Sequence, residues 1–131
     1  MKKVISLLVI ALSLTSLSTQ GQEKTNWKEM DAFHQVMSAT FHPAEEGKLE
    51  PIKARSGEMV DKAVSWKKSK APAGYNQKAV KASLKKLVSG SKELNQLVKD
   101  KANDELLKHK LSSLHDIFHE IMEKCEKESS R

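Results

Sequence analysis

The chain has a single cysteine, Cys125, in 131 residues, so no intramolecular disulfide can hold it together. Three prolines and five glycines are too few for a loop-rich scaffold. Two tryptophans, one tyrosine and three phenylalanines are all the aromatic residues. No segment alternates apolar and polar residues with a period of two, and β-branched residues are sparse, which argues against strands. A glycine-rich phosphate loop and a nucleophile elbow are both missing. The stretch His115-Asp-Ile-Phe-His119 lacks the glutamate that a zinc protease helix carries between its histidines. Paired carboxylates such as Glu45-Glu46 fall at a break in the pattern. These absences argue for a binding protein rather than an enzyme.

One long apolar run is present, Val4 to Leu14, preceded by Lys2 and Lys3 and followed by the small and polar stretch Thr15 to Gly21. That order is a secretory signal peptide, and the run is too short for a stop-transfer helix. Cleavage after Gly21 makes residues 1–21 a leader and residues 22–131 the folded domain, exported to the periplasm or secreted. No membrane anchor then remains after cleavage. About 110 residues suffice for one domain with one core.

Beyond residue 21 there are 21 basic and 17 acidic side chains, a net charge of +4. Along the chain the two signs interleave, as on a solvated surface, and nucleic acid is not an expected partner.

Breaks fall at Pro43–Pro51, at Pro72–Gly74 and at Lys101–Asp104, where Asn103 is placed to cap a helix. Four segments with helical periodicity lie between them. The first, Asn26 to His42, places Trp27, Met30, Met37 and Phe41 in a seam whose gap is filled by His34. The second, Glu50 to Ser69, carries Ile52, Met59, Ala63 and Trp66. The third, Asn76 to Asp100, carries Val80, Leu84, Leu87, Leu94 and Val98, with Ser91 in the seam. The fourth, Asp104 to Glu126, carries Leu107, Leu111, Leu114, Phe118, Ile121 and Cys125. Four helices of similar length joined by short loops predict an all-α, up-down-up-down antiparallel four-helix bundle.

Five histidines offer the most specific chemistry: His34, His42, His109, His115 and His119. His115 and His119 are four apart and stack on one helix face, a spacing that chelates a metal. If the first and fourth helices run antiparallel from a common end, His34 and His119 both lie about 10 Å up the bundle. His115 then falls near Met37, and His42 joins only if the helix end bends inward at Pro43. The expected metal ligands are His34, His42, His115 and His119, for zinc or copper. Asp116 and Glu120 are placed to orient the imidazoles. His109, between two lysines, reads as a surface residue. Met30, Met37, Met59 and Met122 read as core filler, and Cys125 as a continuation of the seam.

In size, leader, helix count and the placing of methionine and histidine on the first helix and histidine on the last, the chain resembles the exported four-helix-bundle cytochromes of the b562 and c′ type. That resemblance implies haem as an alternative cofactor, held by Met30 and His119, with His34 as another axial ligand. Trp27, Phe33, Phe41, Trp66 and Phe118 would line its cavity. Covalent c-type attachment is excluded, because Cys125 has neither a second cysteine nor a following histidine. A third reading is an exported interaction module of the small periplasmic chaperone kind, with an apolar groove and histidines that do not meet.

Overall fold

A computed structural model describes residues 27–125 and, among them, four α-helices and no strand. The proposed leader and the side chain of Cys125 lie outside the described residues. The helices are α1 (Lys28–Glu45), α2 (Glu50–Lys68), α3 (Gln77–Lys99) and α4 (Asp104–Cys125). Each packs against its chain neighbour, and α1 also packs against α4, closing a ring of neighbouring backbones. Across the diagonal, α2 and α4 meet only through side chains, Trp66 with Phe118 and Lys53 with Asp104. The α1/α4 face therefore lies across the molecule from the α2/α3 face.

Local chemistry explains the boundaries. Asn76 accepts a hydrogen bond from Ala79 N at 3.0 Å, and Asn103 accepts one from Leu106 N at 2.9 Å. Both amides thus satisfy a donor that the first turn of a helix leaves free. Pro51 sits in the first turn of α2, where its missing N–H costs nothing.

Pro43 behaves differently from the expectation that the first helix ends at His42. Helix α1 runs through it to Glu45. So near the C-terminus the proline removes one hydrogen bond, and its carbonyl serves the terminal turn. Gly47 N donates to Ala44 O and Lys48 N to Pro43 O, the paired bonds of a Schellman motif. Gly47 takes the left-handed conformation this motif requires, at φ +83°. Helix α3 ends the same way, with Lys101 in the left-handed position at φ 56°.

The core follows the seams with two corrections. In α1 the gap between Met30 and Met37 is closed by fully buried Phe33, one position round from the expected His34, which stays half-buried. In α3 Val98 is only partly buried. Phe33, Met37, Ile52, Met59, Ala63, Trp66, Leu87, Leu94, Leu111 and Ile121 are all fully buried. At one end an aromatic group fills the space between helices. Trp27 meets Trp66 at 5.6 Å between ring centroids, Phe33 meets Trp66 at 5.5 Å, and Phe118 meets Trp66 at 5.8 Å and Phe33 at 6.0 Å. The Trp27 indole N–H donates to Ser69 Oγ at 2.7 Å, and that hydroxyl donates to Trp66 O, fastening the start of α1 to the end of α2.

Candidate functional site

The imidazoles are positioned by two phenyl rings. On α4, His115 and His119 stand one turn apart, as their spacing requires, and their Nε2 atoms are 3.1 Å from each other. His115 lies flat on Phe41 of α1, with ring centroids 3.9 Å apart and planes 10° from parallel. His34 lies on Phe118 of α4 in the same manner, at 4.9 Å and 16°. Phe118 also touches His119 edge-on at 5.7 Å, and Phe41 touches His42 at 5.9 Å. Each phenylalanine is buried, and each bridges a histidine of its own helix to one of the other. Four imidazoles are thereby tied into one continuous group along the α1/α4 seam.

Within that group the structure draws distinctions that periodicity missed. His115 and His119 meet directly. His34, half-buried, lies within electrostatic reach of His119 and His42 but shares no ligand position with them. His42 is exposed and turned toward Glu45, with Nδ1 3.5 Å from the carboxylate. His115 stands opposite Phe41, about one turn further along α1 than Met37, the level a common helix end implies. His109 is exposed. Among the described residues, no group of three or more His, Cys, Asp or Glu side chains is arranged to hold a metal ion. Met30 and Met37 are buried in the core, as is Met59, while Met122 packs partly buried against it.

Burial sets the electrostatics. It pushes the pKa of His34 below the ordinary histidine value of 6.5; the nearby Asp31 carboxylate opposes this, and His119 and His42 add to it. His115 is lowered for the same first reason and further by His119, with Asp116 and Glu45 opposing. A neutral imidazole is the form that binds a metal, so burial keeps both rings ready to act as ligands near neutral pH.

Phe41 and Phe118 are the residues whose role sequence reasoning undervalued. Each directly precedes a histidine, in Phe41-His42 and Phe118-His119, which was the available signal. Compared with protein-family models, curated proteins and solved structures, the chain shows no match.

Proposed function

We propose that this protein binds a transition metal ion, zinc or copper, through histidines of the first and last helices, with His115 and His119 as the primary ligands. The observation that carries this is the 3.1 Å separation of their Nε2 atoms. A metal about 2.05 Å from each nitrogen would hold them at about 98°. That lies between the ~90° of a square-planar site and the ~109° of a tetrahedral one, the geometries of copper(II) and zinc. Without metal, the same pair is joined by a single N–H···N bond whose direction depends on the tautomers. With metal, the donor ring shifts to its Nδ1–H tautomer, which frees both Nε2 lone pairs for the ion. His34 and His42 complete the site by rotating from their stacked or paired positions; water fills what remains. The reading includes export to the periplasm or outside the cell.

An up-down-up-down course of the helices belongs to this reading. It is supported by the pairings of Phe33 with Phe118 and Phe41 with His115, in which α1 advances as α4 retreats. Haem ranks second, because the rings expected to line its slot pack against one another.

The test is to purify the chain without added metal, record its absorption spectrum and titrate zinc and copper by calorimetry. One ion per chain is expected, with affinity falling at least about a hundredfold in the His115→Ala/His119→Ala variant. A Soret band would replace this reading with haem. Uptake unchanged in the double variant would refute it.

A further inference from the structure

Helix α3 carries Lys78, Lys81, Lys85, Lys92 and Lys99, at spacings of three, four, seven and seven residues. At about 100° and 1.5 Å per residue they fall within an arc of about 60° and run about 32 Å along the helix. All five are exposed, and none forms an ion pair with a described residue. The stripe lies on the α2 side of α3. Asn95, on that flank, accepts a hydrogen bond from Ser56 of α2, whereas Glu93, on the other flank, accepts one from Lys110 of α4.

At the N-terminal end of the stripe is a recess of about 200 Å³ between the end of α2 and the start of α3. Buried Ala71, Val80 and Leu84 give it an apolar lining, and exposed Lys67, Lys81 and Gln77 share its wall. It is smaller than a pocket for a drug-sized molecule. Its chemistry, ammonium groups beside an apolar surface, suits part of an anionic amphiphile.

We infer that the α2/α3 face docks on an anionic lipid surface, with the α3 lysines against the headgroups. A straight row of lysines matches a flat, diffuse field of negative charge, to which each contributes as a point charge. Nucleic acid fits less well. Helix α3 has no arginine, and Arg55 of α2 is engaged by Glu58 at 2.7 Å. Trp27, Trp66, Phe33, Phe41 and Phe118 are buried, and Tyr75 is half-buried with its ring edge-on to Trp27 at 5.1 Å, so no fully exposed ring is offered there on which bases would stack. Attachment would be peripheral, since no described helix is long and apolar enough to cross a membrane.

The experiment is co-sedimentation of the full chain with phosphatidylcholine vesicles, with and without about one-third phosphatidylglycerol, alongside binding to a short DNA duplex. Two variants of equal charge change are compared, both with the same N-terminal segment. One is Lys85→Gln/Lys92→Gln/Lys99→Gln. The other is Lys28→Gln/Lys48→Gln/Lys108→Gln, which lies outside α2 and α3. Circular dichroism confirms that both fold. Binding to the anionic vesicles alone is expected. The stripe variant should weaken it by about fivefold per lysine, about a hundredfold in all, and the control by less than about tenfold. Absence of binding to anionic vesicles, equal weakening by both variants, or tighter binding to the duplex than to the vesicles at the same salt would each overturn the assignment.

Discussion

The two opposite faces of this molecule differ in charge and in packing. Helices α1 and α4 carry four basic and eight acidic side chains together with all five histidines. Helices α2 and α3 carry eleven basic and four acidic side chains and no histidine. With histidine neutral the first pair sums to −4 and the second to +7. Beneath the histidines lie aromatic rings, Phe33, Phe41 and Phe118. Beneath the lysines the α2/α3 contact includes small residues, Ser56, which donates to Asn95 at 2.8 Å, buried Ala63 and buried Ser91, among aliphatic Leu87 and Leu94. The one large ring of this pair, Trp66, joins the aromatic group. One face is thus built to hold imidazoles in fixed orientations, and the other to present long cationic chains from a closely packed pair of helices.

The largest way to break this contrast is Phe118→Ala. It removes a buried ring that contacts Phe33, Trp66 and His34 together, and should cost about 3–5 kcal/mol in urea unfolding. It should also weaken metal binding in whatever remains folded, since His34 and His119 lose their shared support. The smallest truncation on the other face, Ala63→Gly, removes one buried methyl and should cost only about 1 kcal/mol in the same assay, chiefly through helix propensity.

Glycines sharpen the packing side of the comparison. A Cβ on Gly90 of α3 would come within 2.6 Å of Leu114 Cδ2 on α4, whereas on Gly57 it meets nothing closer than Asn95 Oδ1 at 3.9 Å. Leu114 is buried and has little room to move. Gly90→Ala should therefore lower stability by about 1–2 kcal/mol through overpacking, despite alanine's better helix propensity. Gly57→Ala should raise it by about 0.5–1 kcal/mol. Midpoints of denaturant unfolding moving in the same direction for both would show that Leu114 yields. Ser91→Ala should also stabilise, by about 1 kcal/mol, because the Ser91 hydroxyl is buried with no hydrogen-bond partner among the described residues.

The smallest expected effect is that of pH, and it belongs to the histidine face. His34 and His115 have pKa values lowered below 6.5 in the folded state. Between those lowered values and 6.5 the unfolded chain binds more protons than the folded one, so stability rises with pH across that window. Their contribution is complete above 6.5 and is lost as pH falls through it. Thermal midpoints between pH 8 and 5 should show this fall, and His34→Gln/His115→Gln should flatten it. An unchanged slope in that variant would place the pH response elsewhere.

Much of the fold was legible in the sequence because helices are local. The three-and-four spacing of Trp27, Met30, His34, Met37 and Phe41, the capping amides of Asn76 and Asn103, and the breaks between segments are all read within a few residues. The pairing of His115 with His119 was legible for the same reason, four residues being one helical turn. Pro43 was misread because proline's penalty depends on how much helix follows it. Here only Ala44 and Glu45 do, and the terminal turn uses the proline carbonyl. The interleaving of charge along the chain concealed its segregation in space, since helices distant in sequence share each face.

The sequence by itself determined four helical segments, their buried stripes and the single-turn spacing of His115 and His119, because backbone hydrogen bonding and side-chain periodicity act over one or two turns. Only the tertiary structure decided that Phe41 lies under His115 and Phe118 under His34, that His42 turns away to Glu45, and that histidines and lysines occupy opposite faces. Those outcomes depend on the axial register between α1 and α4. That register is set by how Phe33, Trp66 and Phe118 fill the space between helices, a packing problem that no single segment contains.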